Sequence, residues 1–597
     1  MKSCPVNAKS TSKKPVWAIK VRDKVTGKAV INENQCLHDR CGICIHACPI
    51  NAITTINVPE QTEDEPPVHK YEDSMFALYR LPQLSQTKVV GLLGRNAIGK
   101  STLIEILAGR VKPNGGLEGG HKQWMEELSI PGLHRHLLDT YAGKTVIGYK
   151  RQNLRYMWRK HPLTVGEILS ETALGESGLG KDELDFLRHY LDLGRIWTKQ
   201  PKVLSGGELQ RLAIAHTFLQ DCDLYLVDEP CTFLDVKQRI KLRKLFVDRV
   251  EEEKTSVLVV EHDLAVLDYL TDIVHVLFGE PHVFGVLSRA LSTKKGVNSF
   301  LDGYIREENI SFRKRKIGFN KSVRERDIEG STMPRLDWAS YEKSLGEFTL
   351  AVCDGNLYRS EVLVALGENG LGKTTFVNAL PEILAQETTQ SEYEYGAVSV
   401  KPQQVKRSYK GTVSEFLAEV TQRYLQNPND KTHLLKPLGI WHLMRKPVRE
   451  LSGGELQRVY IGACLGKEAD IYCLDEPSAF LDAEERLKIT SVIRHMAGKK
   501  KKPIIVVEHD LQVVDALADR VLLFTGEPGD RGTTSGPFLK REGMNRFLAE
   551  LDITFRRDHE TGRARINKKG SSLDRYQREL GEYYYMPDKN KDPERGI

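Results

Sequence analysis

Short apolar runs that end abruptly in charged or glycine-rich turns are the most regular feature of the hydrophobic pattern. The first half of the chain has three: KVVGLLG before a glycine-rich turn, LYLV before Asp228-Glu229, and VLVV before EHD at 261–263. Apolar runs of this length bounded by turns are typical of buried strands. Polar side chains at the carboxyl ends of such strands can face a ligand crevice. The pattern therefore predicts an α/β fold with its chemistry at the strand ends.

The pattern occurs twice. Residues 204–263 contain LSGGELQR, DLYLVDEPCTFLD and VLVVEHD, and residues 451–510 contain LSGGELQR, DIYCLDEPSAFLD and IIVVEHD. Equivalent residues of all three motifs, such as Ser205 and Ser452, are 247 positions apart. A single offset without drift predicts an internal tandem duplication of one structural unit. We call the two copies unit one and unit two.

Each unit has a phosphate-binding loop after an apolar strand. GRNAIGKS (94–101) and GENGLGKT (367–374) match G-x-x-x-x-G-K-[ST], in which backbone N–H groups and a helix N-terminus bind phosphate. The lysine is predicted to reach the outer phosphates, and the hydroxyl of Ser101 or Thr374 to hold Mg²⁺. Ala97 stands where many such loops have glycine. The predicted nucleotide-binding residues of these loops are Gly94, Arg95, Asn96, Ala97, Ile98, Gly99, Lys100, Ser101, Thr102, Gly367, Glu368, Asn369, Gly370, Leu371, Gly372, Lys373, Thr374 and Thr375.

An Asp-Glu pair ends the second apolar strand of each unit. The aspartate is predicted to support magnesium, and the glutamate to polarise the attacking water. The histidine after the third strand is predicted to contact the γ-phosphate, with a structural strand cap as the alternative. The magnesium aspartates are Asp228 and Asp475, and the predicted catalytic residues are Glu229, Glu476, His262 and His509.

Two further residue types complete the predicted sites. Gln152 and Gln403 follow strand-like segments and are candidates for positioning magnesium and water. Tyr71 and Phe76 precede the strand that feeds the first phosphate loop, so one of them is a candidate for stacking on adenine, with a core position as the alternative.

LSGGELQR places a serine and two glycines at a second helix start in each unit, which is a second anion-binding helix N-terminus. The residues predicted to bind nucleotide here are Ser205, Gly207, Ser452 and Gly454. One unit thus has two phosphate-binding helix ends, which favours an arrangement in which the second grips the ATP of the other unit. At this point the chain resembles the ABC-type ATPases, whose two halves sandwich two ATP molecules head to tail. Ser205 would then act on ATP held by Lys373, and Ser452 on ATP held by Lys100.

Five of the ten cysteines fall before residue 50. Cys36, Cys41, Cys44 and Cys48 precede Pro49 in a run typical of ferredoxins, which favours an iron–sulfur cluster over a zinc knuckle or a structural remnant. Cys4, followed by Pro5, looks like the end of another such run. Either Cys4 or Cys48 is the fourth ligand beside the other three. One [4Fe–4S] cluster is therefore expected, or two if further cysteines precede Met1.

Composition adds little beyond these motifs. With 40% hydrophobic and 28% charged residues the chain is typical of globular proteins, and its net charge of +6 identifies no partner. No apolar run approaches the roughly 18 residues that span a bilayer, and no signal peptide opens the chain. The sequence therefore predicts a cytoplasmic protein without a membrane partner.

The predicted domains follow the repeat. The boundaries are 1–62 for a small ferredoxin-like α+β domain, 68–295 and 336–542 for the two nucleotide-binding domains, 296–335 for a first hinge, and 543–597 for a second hinge and tail. Unit one carries an insertion near 119–144, read as two short helices around Pro131-Gly132. Surface insertions of this kind are often functional.

Nearly the whole chain resembles one family, the ribosome-recycling ABC ATPases of subfamily E, also called the RNase L inhibitor family. Beyond the general ABC motifs, the likeness includes the Cys-Pro run, the RLP at 80–82, the DVKQR at 235–239, the repeated hinge segments, and TFRRD at 554–558 followed by RINK at 565–568. The resemblance implies a monomeric ATPase that splits ribosomes into subunits after termination and stays on the small subunit. Its insertion would contact small-subunit rRNA.

The resemblance also implies partners and leaves one alternative. The implied partners are the ribosome, a peptide release factor or its paralogue and, with roles in initiation and ribosome biogenesis, initiation factors. The implied cofactors are ATP, Mg²⁺ and the iron–sulfur cluster. The alternative is an ABC ATPase that acts off the ribosome, of the nucleic-acid repair type.

Overall fold

The computed structural model divides the chain into two compact regions, Met1–Pro66 and Pro67–Ile597. The residues it describes are 4–8, 17–21, 29–31, 36–37, 41, 43–46, 66–71, 76–116, 121, 124–125, 131–154, 161–313, 316–318, 335–387, 397–421, 430–558 and 560–584. Across this part of the chain, no helix combines the length with the apolar composition needed to cross a bilayer.

The amino-terminal region contains an antiparallel pair of strands and two one-turn helices. The strands are Ile19–Val21 and Ala29–Ile31, and the helices are Pro5–Ala8 and Ile43–His46. The buried side chain of Asn7 joins helix to strand, because its Oδ1 accepts from Ala18 N at 2.8 Å and its Nδ2 donates to Ile19 O at 2.8 Å. A short element thus gains a tertiary anchor from one amide side chain.

Unit one is built on a mixed sheet whose centre is parallel. The described strands lie in the order His69–Lys70, Ala77–Tyr79, Phe284–Leu287, Ile273–Glu280, Val90–Gly94, Ser256–Val260, Leu224–Asp228 and Ile147–Lys150, with Leu291–Ser292 also paired to Ile273–Glu280. Gly94 lies opposite Leu277 and Asp228 opposite Val260. The phosphate loop, the Asp-Glu pair and the EHD segment therefore leave the sheet at one edge, as their strand-end positions predict.

Unit two repeats this sheet. Its described strands lie in the order Tyr341–Leu345, Phe348–Val352, Arg531–Leu539, Arg520–Glu527, Val362–Gly367, Ile504–Val507, Ile471–Asp475 and Val398–Lys401. Asp475 lies opposite Val507, as Asp228 lies opposite Val260. Among the described residues of the region Pro67–Ile597, three two-stranded ribbons lie outside the large sheets: Tyr304–Ile305 with Ile310–Ser311, Arg335–Trp338 with Gly355–Tyr358, and Phe555–Arg557 with Ala564–Ile566.

Helices connect the strands of both units. In unit one they are Lys100–Leu107, Pro131–Tyr141, Val165–Leu174, Gly180–Tyr190, Gly206–Phe218, Val236–Glu251, Leu264–Leu270 and Thr293–Asp302. In unit two and the tail they are Lys373–Glu387, Val413–Val420, Gly453–Gly466, Ala483–Lys500, Leu511–Leu517, Lys540–Glu550 and Ser572–Glu579. Short 3₁₀ or π turns lie at Gly194–Ile196, Pro201–Val203, Arg306–Glu308, Lys431–Leu435, Trp441–Leu443 and Val448–Glu450.

The insertion of unit one contains the helix Pro131–Tyr141, which begins at the proline around which two helices were expected. Proline is favoured at a first helical position because its ring fixes φ and its missing N–H has no helical partner there. Tyr141 anchors the helix end by donating to Ile106 O and Val111 O. Within the insertion, the described residues that precede Pro131 are His121, Trp124 and Met125, and they are helical.

The two units share an apolar core and are tied together by the tail. Buried side chains of helices Leu264–Leu270 and Leu511–Leu517 belong to one continuous cluster. The ribbon after unit two returns to unit one, where Arg563 and Arg565 pair with the buried Asp268 at 3.0 and 2.5 Å. Arg563 is fully buried, so this contact is part of the interior. The relative placement of the units is therefore fixed by packing and by paired charge.

Candidate nucleotide sites

The phosphate loop of each unit closes around its own lysine. Lys100 Nζ donates to Gly94 O at 2.8 Å and Arg95 O at 2.7 Å, and Lys373 makes the same pair of bonds at 2.8 and 2.6 Å. Burial lowers the pKa of both lysines, that of Lys373 to about 8, against the opposing effect of nearby carboxylates. The ammonium thus lies at the mouth of a loop whose helix starts at the lysine itself.

An aromatic ring packs against each loop. A Cβ added to Gly99, whose φ is 108°, would lie 2.6 Å from the Phe76 ring, so only glycine fits there. The same holds in unit two, where a Cβ added to Gly372 would lie 2.9 Å from the Phe348 ring. Phe76 and Tyr71 both line the cleft described below, as does Phe348, which the sequence reasoning missed. Its position just ahead of the second loop strand was the available signal, and adenine stacking stays a prediction.

The glutamate of unit one contacts three side chains, one of which is Thr232, whose Oγ1 donates to Glu229 Oε2 at 3.3 Å. Gln152 Nε2 donates to Glu229 Oε1 at 2.6 Å, and His262 Nε2 lies 3.4 Å from the same oxygen. Burial opposes ionisation of Glu229, but its contacts with His262 and Gln152 outweigh burial and lower its pKa to about 2. The structure thus brings together the predicted glutamine, glutamate and histidine. Their geometry suits a carboxylate that accepts a proton from a positioned water.

The glutamate of unit two has the equivalent glutamine and histidine as partners at looser range. Gln403 Nε2 donates to Glu476 Oε1 at 2.7 Å, whereas His509 Nε2 lies 3.8 Å away. Here burial, together with the charge of Asp475, raises the pKa of Glu476. Burial and the nearby Lys373 ammonium also lower the pKa of His509 well below its ordinary value. The pKa values of the two equivalent glutamates are therefore shifted in opposite directions, although the motifs around them are the same.

The aspartates present the oxygen donors that Mg²⁺ prefers. Thr374 Oγ1 donates to Asp475 Oδ2 at 2.7 Å, and the buried Oδ1 of Asp475 has no hydrogen-bond partner among the described residues. A buried carboxylate oxygen without a donor is costly unless a cation or water binds it. Burial and the neighbouring Glu229 raise the pKa of Asp228 to about 7, which a bound cation would reverse. The hydroxyl and carboxylate present thus fit magnesium.

Each signature helix starts at a capped serine. Ser205 accepts from Glu208 N while Glu208 accepts from Ser205 N, and Ser452 makes the same reciprocal cap with Glu455. Such a capping box fixes the first turn of the helix. A Cβ on Gly207 would lie 3.4 Å from the side-chain nitrogen of Asn369, in the phosphate loop of unit two. The signature helix of unit one therefore faces the loop of the other unit.

Two aspartates that follow the Asp-Glu pairs join the units. Asp235 Oδ2 accepts from Asn369 N at 3.0 Å, and Asp482 Oδ2 accepts from Asn96 N at 3.1 Å. Asn369 Nδ2 also donates to Phe233 O at 2.9 Å. Sequence reasoning did not assign these aspartates a role. The signal was present, because the FLD triplets that contain them recur at the same 247-residue offset.

The two halves therefore form two composite sites. The first site combines the Lys100 loop with the Ser452 helix, and the second site combines the Lys373 loop with the Ser205 helix. A continuous cleft of 2340 Å³ contains both, and it is lined by both loops, both signature serines and both glutamates. The head-to-tail arrangement expected from the two helix ends is what the structure shows.

The cysteine run is described only in part. Cys4 is buried with Ala18 and Ile19, and Cys44 packs against that group, while Cys36 and Cys41 are half-buried free thiols. Cys48 lies outside the described residues. No cluster of three or more metal-ligating side chains occurs in the portion that the structure describes. The iron–sulfur cluster therefore stays a prediction.

This fold, with two phosphate loops facing two signature helices, defines an ABC-type ATPase with both halves in one chain. The family model for the ABC transporter matches residues 82–232 and 350–479. An uncharacterized ABC transporter ATP-binding protein of Methanocaldococcus jannaschii is 41% identical over 94% of this chain and 92% of its own. ABC transporter E family member 1 of Arabidopsis thaliana is 38% identical over 98% of this chain and 96% of its own. The chain belongs to subfamily E of the ABC proteins, the RNase L inhibitor family.

A solved structure agrees in fold over nearly the whole chain. The structure of ribosome-bound archaeal Pelota and ABCE1 contains a chain that is 40% identical to this one, with a TM-score of 0.88. The match covers 98% of this chain and 96% of that chain. The fold predicted from the sequence, tandem P-loop ABC domains, is confirmed.

Proposed function

We propose that this ATPase recycles ribosomes: it splits them into subunits after termination and stays on the small subunit. The observation that carries the proposal is the near full-length likeness, in sequence and fold, to a chain of the ribosome-bound Pelota and ABCE1 structure. The proposed partners are the small subunit with its rRNA and a release factor or its paralogue, with initiation factors as later partners. Because ribosomes work in the cytoplasm, the proposed site of action is the cytoplasm. None of the relatives described above favours an ATPase of the nucleic-acid repair type.

The cycle follows from the composite sites. Each ATP would lie between the phosphate loop of one unit and the signature helix of the other, so binding draws the units together and stabilises the closed form. Mg²⁺ held by Ser101 and Asp228, or by Thr374 and Asp475, would neutralise phosphate charge as the terminal phosphate leaves. The glutamate accepts the water proton, and the glutamine and histidine beside it hold it in place. Hydrolysis would then remove the ligand that keeps the units closed.

The insertion of unit one supplies a proposed contact with rRNA. The described helix Pro131–Tyr141 is anchored at Tyr141, and its Arg135 side chain is 87% exposed. An exposed arginine can pair with a phosphate of nucleic acid. We propose that this helix faces the small subunit and that the protein acts as a monomer.

We further propose one [4Fe–4S] cluster in the amino-terminal region. Cys44 packs against the apolar group that contains the buried Cys4, which supports Cys4 as the fourth ligand beside Cys36, Cys41 and Cys44. Iron and sulfide of anaerobically prepared protein should approach four each per chain. Cys4→Ser should lose the cluster and Cys48→Ser should keep it, with Cys353→Ser as a control far along the chain. Zinc at one per chain without sulfide would refute the cluster.

The recycling proposal is tested with the variant Glu229→Gln, Glu476→Gln. This change keeps the size of both side chains but removes the charge that draws on the water proton, so the closed form should persist. With ATP, the variant should co-sediment with small subunits, whereas the unmodified chain should split ribosomes repeatedly. A matched control is Glu251→Gln, Glu252→Gln, in which both glutamates are exposed. If no form co-sediments with subunits under ATP or ADP, the recycling proposal fails.

A further inference from the structure

A fully buried lysine lies behind each glutamate and has no role in the sites described above. Lys150 and Lys401 end the equivalent strands Ile147–Lys150 and Val398–Lys401 and are 2% and 0% exposed. Lys150 Nζ donates to Asp228 O at 2.7 Å and Glu229 O at 2.9 Å. Lys401 Nζ donates to Asp475 O at 2.6 Å and Glu476 O at 3.3 Å. Both ammonium groups thus bind main-chain carbonyls of the Asp-Glu pair.

A buried glutamine reaches the same carbonyl from the signature helix of the same unit. Gln210 Nε2 donates to Glu229 O and Pro230 O, both at 2.7 Å, and Gln457 Nε2 donates to Glu476 O at 2.6 Å. These side chains are 2% and 0% exposed. In each unit, therefore, two donors from two different elements converge on the carbonyl of the glutamate.

The backbone at the glutamate explains why this matters. Glu229 and Glu476 have φ of 46° and 47°, in the left-handed region that is strained for a residue other than glycine. Their N–H groups still donate to the neighbouring strand, to Val260 O and Val507 O at 2.9 Å. The peptide plane turns out of the sheet immediately afterwards. The direction of the glutamate side chain is therefore set by whatever holds the carbonyl that follows.

An ammonium is a costly group for this task. Burying a charged lysine carries a desolvation penalty that a neutral donor avoids. In return, a charged donor makes shorter and stronger hydrogen bonds, and one ammonium can hold two successive carbonyls. The same solution appears in both units, although their sequences around the lysine differ, with YKRQ in unit one and VKPQ in unit two.

We propose that Lys150 and Gln210 are positioning residues for Glu229, and that Lys401 and Gln457 are positioning residues for Glu476. The inference rests on the proposed role of these glutamates in activating water. The pair fixes the strained peptide that aims the carboxylate, because its donors bind the main-chain carbonyls of that peptide.

The glutamine adds a link between the two sites. The helix Gly206–Phe218 presents Ser205 and Gly207 to the second site and Gln210 to the carbonyl of Glu229, which serves the first site. Gln457 makes the reciprocal link through the helix of unit two. Nucleotide that shifts a signature helix in one site therefore shifts the glutamate of the other.

The positioning role is tested with Lys150→Met, which keeps the length of the side chain and removes its donors. Misplacing a catalytic group by about 1 Å can lower a rate about 10²-fold. We expect kcat for ATP hydrolysis to fall about tenfold to hundredfold, with KM within twofold. Lys150→Gln, which restores a neutral donor, should recover part of the loss. The matched control is Lys540→Met, since Lys540 is equally buried and donates to Asp515 O far from the sites. It should lower thermal stability and leave kcat within twofold.

Three results separate the possibilities. If Glu229→Gln lowers kcat strongly and Lys150→Met does not, the positioning role is wrong while the role of Glu229 stands. If Glu229→Gln itself leaves kcat unchanged, the proposed role of the glutamate fails first. Should Lys150→Met not fold, Gln210→Met gives the same kcat-against-KM test, and an unchanged kcat in that variant overturns the proposal.

The link is tested with Gln210→Met, Gln457→Met. The Hill coefficient for ATP hydrolysis should fall toward one in this variant, whereas Lys540→Met should retain the value of the unmodified chain. A Hill coefficient that is the same with and without the two glutamines overturns the link.

Discussion

The two composite sites share a backbone and differ in the contacts that surround it. Glu229 lies 3.4 Å from its histidine and has a lowered pKa, whereas Glu476 lies 3.8 Å from its histidine and has a raised pKa. Ala97, with φ of 59°, stands in the loop of unit one where unit two has Gly370. Duplication thus preserved the motifs while the electrostatics and strain around them diverged, so the two sites are not interchangeable.

The ion pairs across the interface show the divergence most directly, because their signs are exchanged. In the first site the loop residue is the cation, with Arg95 Nε 3.4 Å from Glu484 Oε2. In the second site the loop residue is the anion, with Glu368 Oε1 2.7 Å from Lys237 Nζ. Pairing unit one with another unit one would set Arg95 against Lys237, and pairing two copies of unit two would set Glu368 against Glu484. The charges therefore favour pairing of unit one with unit two, because the pairs between different units attract and the pairs between identical units would repel.

The largest expected effect separates the glutamates. Glu229→Gln removes a carboxylate that is held ionised, and we expect kcat for ATP hydrolysis to fall about 10²-fold or more. Glu476→Gln should cost less, because Glu476 lies 3.8 Å from its histidine whereas Glu229 lies 3.4 Å from its own, so Glu476 is the less firmly positioned base. Steady-state ATPase assays at neutral pH measure both, with Glu251→Gln as the exposed control. Equal losses would show that the difference in positioning does not survive when nucleotide and Mg²⁺ bind.

A smaller effect tests the exchanged ion pairs. Lys237→Glu sets two anions against each other in the second site, and we expect about fivefold slower hydrolysis at limiting ATP, since a partly exposed pair is worth about 1 kcal/mol. Adding Glu368→Lys reverses the pair and should recover most of the rate. Glu368 also belongs to the phosphate loop, so its replacement can affect ATP binding directly. The decisive result is therefore the recovery of the rate in the double variant, not the loss of rate in a single variant. No recovery in the double variant would contradict pairing by charge.

The smallest expected effect concerns the strained loop residue. Ala97→Gly removes a left-handed alanine and should add about 1 kcal/mol to the free energy of unfolding, or about 2 °C to the first thermal transition. Gly370→Ala should shift the transition of unit two in the opposite direction. Calorimetry without nucleotide measures both shifts. A lower temperature of the first thermal transition in Ala97→Gly would contradict this expectation and would mean that the alanine stabilises the loop.

What could be predicted from the sequence was local. An apolar strand followed by a glycine-rich loop or an Asp-Glu pair predicts both the strand and the chemistry at its end, and Gln152 and Gln403 lie where their preceding strands indicated. The head-to-tail pairing followed from counting two anion-binding helix ends per unit. These inferences need only short spacing and one repeat.

What escaped prediction depends on contacts between distant parts of the chain. Asp482 binds the loop of unit one from 386 residues away, and nothing beside it indicates that partner. Lys150 and Lys401 end strands in which buried and half-buried residues alternate, and in a sequence a lysine there indicates a solvated face. Their carbonyl partners become apparent only once the sheet brings neighbouring strands together.

The central claim is that each site is built from both units, and trapped ATP tests it most directly. In the background Glu229→Gln, Glu476→Gln, the chain should retain two ATP molecules after a chase with excess unlabelled ATP. Lys100→Ala should reduce this to one. Adding Ser452→Arg to Lys100→Ala damages the same first site again and should still leave one trapped ATP. Adding Ser205→Arg instead damages the second site and should leave no trapped ATP. One trapped ATP with Ser205→Arg and none with Ser452→Arg would contradict the account, because each signature helix would then serve its own unit.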